Sequence, residues 1–577
     1  MNILAFQRSY TESVYCGRAN EHSGLPLWDG GSSIEKAKDK RAGKWLTLLA
    51  VAAMAVSLLH SQESPAVVAA RPNAQRTNRP PRVVEAERFL ARRGWSSGSQ
   101  RGSAANPGRR AKALSNRIQA QLQTGPSVTW LPLGPVSVES QNFGLVTGRV
   151  SALALDPSDA TGNTVYVGTT GGGVWRSQNA NTSDPTKISF TPLTDNLPAL
   201  NGVAEASISI GALTVQPGGT GVILAGTGDP NDGLDSYYGA GILRSTDGGG
   251  NWSLISSTAD QLFRFIGEGF AGFAWSTVDQ QRVVAAVSQA YEGTLVNSID
   301  SGSSYQGLYY SSDGGASWSL ATITDGAGAR IQGPSAAFAS PDGNAATSVV
   351  WNPVRQLFVA AVRYHGYYQS SDGITWTRMP TQPGPGLAAQ WCPANSGGTG
   401  SPGCPIFRGT LAVNPQTGDT FAWTVDVANQ DQGIWQDECS ASAGACASAT
   451  LWSALHSRQW NTAALETNSV LGPATIQNGD YNLTLAAVPA GVGQQYGTTL
   501  LAGANDLWKT DCPYSQGCAW RNTTNSTVGF CAQVGEYQHA LAWNPANPLE
   551  ILVGNDSGLW RSTDAIAETG QVWAAMG

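Results

Sequence analysis

The string GDPNDGLDSYYGAG, residues 228–241, places Asp229, Asn231, Asp232 and Asp235 close together. Oxygen donors at such spacing suit a hard cation such as Ca2+, although the order differs from the D-x-[DN]-x-[DN]-G-x5-E calcium loop. Tyr237 and Tyr238 follow, and their rings can stack on a sugar or a peptide. The plainer reading is a loop whose Asx side chains satisfy its own backbone. Two other strings pair a carboxylate with a tyrosine: NGDYNLTLAAVP (478–489) and VGEYQHALAWNP (534–545). Asp480–Tyr481 and Glu536–Tyr537 hold equivalent places in them. Glycoside hydrolysis needs two carboxylates across a cleft, so Asp480 and Glu536 are the catalytic candidates. Arg149 of GRVS joins Tyr481 and Tyr537 as a ligand-binding candidate if the strands they open converge; otherwise these groups only bond neighbouring elements. The five histidines (22, 60, 365, 456, 539) form no HExxH pair, and no helix follows GTGDP to bind phosphate.

Whether these strings share a place depends on the elements that carry them. Seven segments align: GGVWRS (172–177), GILRSTD (241–247), GLYYSSD (307–313), GYYQSSD (366–372), GIWQDEC (433–439), DLWKTDC (506–512) and GLWRSTD (558–564). From residue 175 their spacings are 68, 66, 59, 67, 73 and 52, the mark of a repeat architecture. Each repeat has an apolar strand ending in an Asx/Pro turn (SALALDP, LAVNP, ALAWNP), a second ending in Gly (TVYVGT, VILAGT) or Gly-Asn (ILVGN), and the aligned third. A fourth strand starts at an aromatic residue: Phe190, Trp252, Trp318, Trp376, Trp452, Trp520 and Trp573. Four short antiparallel strands, seven times, predict an all-β seven-bladed β-propeller, whose first strands line a central channel. Val128–Leu133, with Trp130, reads as one more fourth strand. It either closes the ring in the last blade or belongs to an eighth blade of a truncated chain.

The turns between third and fourth strands fit S-x-D-x-G-x-x-W: Ser245, Asp247, Gly249 and Trp252, then Ser311, Asp313, Gly315 and Trp318. Ser370, Asp372 and Trp376 form a shorter version, and Ser562 and Asp564 a degraded one. The Asp and Ser oxygens can bond loop amides, and Gly supplies positive φ. This pattern resembles the Asp-box, or BNR repeat, of sialidases, sortilin-type receptors and xyloglucanase-type glycosidases. Residues 84–577 as a whole resemble bacterial exported BNR/Asp-box proteins, an architecture that leaves activity open. A sialidase activity would imply an arginine triad, but Arg176, Arg244 and Arg561 are repeat-equivalent and point out of different blades; FRFIGEG (263–269) lacks the expected Pro. A xyloglucanase activity would imply an Asp where TTGGGVW (169–175) has Thr170, and a second propeller.

Charge divides the chain. Residues 1–126 carry 19 Lys/Arg against 8 Asp/Glu, and residues 127–577 carry 15 against 33. An acidic propeller excludes nucleic acid as its partner. Residues 1–44 read as a basic leader and 45–59 (WLTLLAVAAMAVSLL) as a signal-peptide core or signal anchor. Residues 60–126 read as a basic linker with two short helices, and 127–577 as the propeller. Export agrees with three local cysteine pairs, Cys392–Cys404, Cys439–Cys446 and Cys512–Cys518, with Cys531 left over. The expectation is a secreted or envelope-held, monomeric module that binds a protein or carbohydrate without catalysis. Its membrane contact is confined to the N-terminal segment, and it takes no cofactor unless the 228–241 loop holds Ca2+. The alternative is a glycoside hydrolase.

Overall fold

The computed structural model describes residues 138–140, 144–195, 197–200, 208–231, 236–290, 306–325, 328, 330–333, 345–387, 392, 404–439, 446, 452, 457–460, 476, 478–489, 497–511, 520–524, 534–563 and 573–576. The leader, the apolar segment 45–59, the linker and Val128–Leu133 all lie outside the described residues. Among those described, no helix is long and apolar enough to cross a membrane.

Each repeat folds as anticipated into four antiparallel strands in chain order, and the seven sheets make a seven-bladed β-propeller. The inner strands are Val150–Leu155, Ile210–Val215, Glu268–Trp275, Ala346–Asn352, Arg408–Val413, Thr484–Pro489 and Gln538–Asn544. Close approach at the axis selects small residues there. A Cβ at Gly211 would collide with the carbonyl oxygens of Gly228 and Phe270. Away from the axis, seven apolar clusters form, each shared by two neighbouring blades. Alternating residues of a strand point to opposite faces of its blade, so the clusters form a continuous ring of core rather than a single centre.

The ring closes without strand exchange. Among the described residues the outer place of blade 7 is filled by Ala574–Ala575, paired with Trp560 and Arg561. The seam between blades 7 and 1 has its own apolar cluster, including Val150, Val165, Leu552 and Leu559. The repeat-equivalent arginines explain themselves here. Arg176 donates to Gly248 O at 2.9 Å, Arg244 to Gly314 O at 3.0 Å and Arg561 to Ala180 O. Each reaches the turn of the next blade, and the last of them bridges the seam. Blade 4 carries an additional hairpin, Thr322–Thr324 with Arg330–Gln332, which covers its outer edge by parallel pairing to Thr375–Arg378. In blade 5 the outer strand begins at Ser457, not Trp452. Trp452 lies earlier, at φ 61°, and is buried against Tyr367 and Met379 between blades 4 and 5.

The Asp-box turns bond themselves, as their residue types suggest. In the turn 245–252, Ser245 Oγ donates to Asp247 Oδ1 at 2.8 Å and accepts from Gly249 N at 2.9 Å, while Trp252 Nε1 donates to Gly249 O at 3.1 Å. Turns 311–318 and 370–376 repeat this bond for bond; Asp564 lies outside the described residues. Gly249 has φ 94° and Gly315 φ 79°. Bonds from Asn251 and Ser245 hold the Asp247 carboxyl down at about 2. For Asp313, burial pushes the carboxyl up, but bonds from Ser317 and Ser311 outweigh it and leave it lowered. A folded-state value below the unfolded one means stability that is present above about pH 4 and is lost as the pH falls through the folded value. Ser311, 1% exposed, is the clearest test. Ser311→Ala unpairs Gly315 N and should cost about 1–2 kcal/mol, read as a lower denaturation midpoint.

Among the described residues, two disulfides form, Cys392–Cys404 and Cys439–Cys446. Cys512, Cys518 and Cys531 lie outside the described residues.

Candidate functional site

Antiparallel order places the start of every inner strand at the same end of its blade as the turn between the second and third strands. The Asp-boxes lie at the other end. The candidate residues of the sequence therefore gather on one face, around the upper mouth of the channel. Arg149 directly precedes the inner strand of blade 1. Asp480 and Tyr481 lie in one helical turn, Gly479–Asn482, before that of blade 6. Glu536 and Tyr537 precede that of blade 7, with Tyr537 at φ 65° and its N–H donating to Asn505 O.

At the centre of this face is Asp556, in the turn between the second and third strands of blade 7. Its Oδ1 accepts from Arg149 Nε at 2.6 Å and Tyr481 Oη at 3.0 Å, and lies 2.8 Å from His539 Nε2. Arg149 also pairs with Asp229 Oδ2 at 3.4 Å, and its guanidinium lies 5.2 Å from the Tyr481 ring. Tyr481 meets Tyr537 edge to face at 5.8 Å and His539 at 4.8 Å. Burial pushes the Asp556 carboxyl up, but the His539 hydrogen bond and the His539 and Arg149 charges outweigh it, so it is lowered and ionised. Burial, with the nearby carboxylates of Asp556 and Asp229, raises the Tyr481 phenol and keeps it a neutral donor.

The 228–241 loop does not stand out from this face but turns into it. Asp229 is fully buried and its Oδ1 accepts from Asn231 N. Asn231 Oδ1 accepts from Arg408 of blade 5 at 2.9 Å, so the loop spans the channel from blade 2 to the far side. Gly228 N donates to Ser209 O, and Gly239 N to Glu268 O. Tyr238 is buried, and Tyr237 is half-buried with its carbonyl accepting from Asp229 N. Asp232 and Asp235 lie outside the described residues. Among those described, no three His, Cys, Asp or Glu side chains are grouped to hold a metal ion.

The two catalytic candidates differ in their surroundings. Asp480 is fixed to Asn429, whose Nδ2 donates to its Oδ1 at 2.8 Å and whose Oδ1 accepts from its backbone N. Glu536 is exposed at the mouth. Desolvation inside the mouth, then the negative charges of Asp506 and Asp556, raise its carboxyl above the ordinary value. Asp506 is itself bonded to Asn522 and Thr524.

Sequence reasoning missed Asp556, His539, Arg408 and Asn429. Asp556 sits in NDSG, which reads as a bare turn. His539 reads as one more residue of an inner strand, but the register of blade 7 skips it between Gln538 and Ala540. That bulge redirects its side chain toward Asp556. The same bulge recurs at Ser151 and Thr347, whose hydroxyls bond Ile210 O and Gly409 O of the next blade.

No family model matches the chain. It is 31% identical over 216 residues to a xyloglucanase from Paenibacillus sp., a match that covers 35% of this chain and 19% of that protein. Among solved structures it resembles an ancestral GH74 enzyme (16% identity, 78% of this chain, 48% of that one, TM-score 0.49). It also resembles the GH74 xyloglucanase of Xanthomonas campestris (16%, 74% and 54%, TM-score 0.42) and YCF48 from Cyanidioschyzon merolae (12%, 72% and 95%, TM-score 0.38). The chain is thus a seven-bladed β-propeller, similar over about a third of its length to a xyloglucanase.

Proposed function

We propose that this chain is an exported propeller that binds a carbohydrate at the upper mouth of its channel without cleaving it. The observation that carries this reading is the occupancy of the carboxylates. Asp556 accepts from Arg149 and Tyr481 and touches His539 at once, Asp229 and Asp480 are held by protein partners, and among the described residues Glu536 is the exposed carboxylate of this face. A rigid set of phenols, a guanidinium and one carboxyl suits the hydrogen bonding and ring stacking of a neutral sugar. The similarity to a xyloglucanase favours a β-glucan over a protein ligand. Export rests on the apolar segment 45–59 and on the cysteine pairs, and a monomeric state is part of the proposal.

Glycoside hydrolysis is the second reading. The Glu536 carboxyl is raised and that of Asp556 lowered, and a pair pushed apart in this way can divide the roles of acid and base. Calorimetric titration of the full chain with xyloglucan oligosaccharides, alongside an assay for new reducing ends, separates the two. Binding without turnover is expected, weakened about tenfold by Tyr537→Ala. Turnover that Glu536→Gln abolishes would replace the binding reading by the hydrolytic one.

A further inference from the structure

The other end of the channel has a different character. There the inner strands of blades 1, 5, 6 and 7, with the turns that follow in blades 1 and 7, line an open pocket of about 440 Å3. That lies within the roughly 300–1,000 Å3 of small-ligand sites. Its walls are apolar, with Leu155, Ala412, Leu485, Ala487 and Ala542 among them, and Trp543 closes one side as a half-buried aromatic surface. The small Ala side chains make the space, and the 228–241 loop spans the channel above it through Asp229–Arg149 and Asn231–Arg408. A ligand entering from below thus meets a pocket with apolar walls and a polar rim.

The rim is acidic and contains two aspartates of different availability. Asp159 is spent on its own turn: Oδ1 accepts from Thr161 N and Oγ1, and Oδ2 from Thr164 N. These bonds outweigh the effect of burial and hold its carboxyl at about 2, so it stays ionised. Asp156 uses Oδ1 for Ser158 N and Oγ, which leaves Oδ2 as an acceptor at the mouth of the pocket.

We propose that this pocket is a second binding site, separate from the upper face, for a small amphipathic cation. An alkyl body would lie along the Ala- and Leu-lined walls, and a primary ammonium would sit at Asp156 in the field of Asp159. Apolar burial supplies the affinity and the rim carboxylates the selection for positive charge.

The test is calorimetric titration of the full chain at pH 7 with n-hexylamine, hexan-1-ol and hexanoate. The amine should bind about fivefold more tightly than the alcohol, and hexanoate more weakly than either. Asp156→Asn should bring the amine to the level of the alcohol. Ala542→Phe should fill the pocket and abolish both. Glu536→Gln, on the opposite face, should change neither, so that failure of the carbohydrate reading and failure of this one are distinguishable. If Ala542→Phe does not fold by circular dichroism, Asp156→Asn decides alone. No saturable heat with hexylamine, or hexanoate binding as well as the amine, overturns the proposal. So does binding of a lysine-bearing peptide where hexylamine fails, which would make the rim a protein-docking surface.

Discussion

Asp556→Ala is expected to destabilise the propeller by about 3 kcal/mol and to abolish ligand binding at the upper mouth. The carboxylate joins elements that are distant in the chain: Arg149 of blade 1, Tyr481 of blade 6 and His539 of its own blade. The His539 side chain is fully buried and that of Arg149 is 19% exposed. Without the carboxylate, the His539 ring has no bonded nitrogen, since Nδ1 has no partner in the fold, and Arg149 loses its 2.6 Å bond. Unpaired buried donors cost about 1–3 kcal/mol each, more when charged. The measurement is the denaturant midpoint at unchanged slope, and an unshifted midpoint would refute the role given to Asp556. The pH dependence follows from the lowered folded-state value of this carboxyl. Its contribution is complete above the ordinary carboxylate range near pH 4 and disappears as the pH falls through the folded value. The alanine variant should therefore have a flatter acid limb than the parent.

The second large effect lies away from the mouth, at Arg355 and Asp437. Their side chains are 3% and 0% exposed and form an ion pair at 2.6 Å. Arg355 also donates to Cys446 O at 3.1 Å, so the pair ties blade 4 to the disulfide-closed turn of blade 5. Burial disfavours both charges, raising the Asp437 carboxyl to about 7 and lowering Arg355. The two single variants should therefore differ. Asp437→Ala leaves a buried guanidinium that cannot shed its charge readily, at about 3–5 kcal/mol. Arg355→Met leaves a carboxyl that can take up a proton and should cost less. The double variant Arg355→Met/Asp437→Leu should recover most of the loss, because a buried pair can be replaced by apolar side chains. Thermal midpoints of the three variants check this order, and equal losses for both single variants would contradict it.

The repeat made the fold readable. Strand order, blade number and the internal bonding of the Asp-box turns all follow from local patterns that recur in register. Trp452 stands at the spacing of a strand start but is a core residue drawn toward Met379, with the strand beginning later at Ser457. The site was legible in part: Arg149, Tyr481 and Tyr537 were placed together by their positions at strand entries. Asp556 and His539 were not, because one depends on a tight turn and the other on a register bulge, and neither leaves a compositional trace. The 228–241 loop was recognised as unusual, but its inward path depends on a partner, Arg408, 177 positions away from Asn231.

The seam between blades 7 and 1 is built from the same parts as the joints between blades 1 and 2 and between blades 2 and 3: an apolar cluster and an arginine reaching the neighbouring turn. Among the described residues no joint is privileged by a swapped strand, so the order of blades in the chain is almost a convention. The described ring is close to a circular necklace, in which linking Ala574–Ala575 to Val138–Ser140 and cutting another inter-blade loop would keep every strand pairing. A molecule of this kind can change the loops of one bead without rethreading the rest, and blade 2 shows the result, with a lengthened loop whose Asn231 meets Arg408 of blade 5.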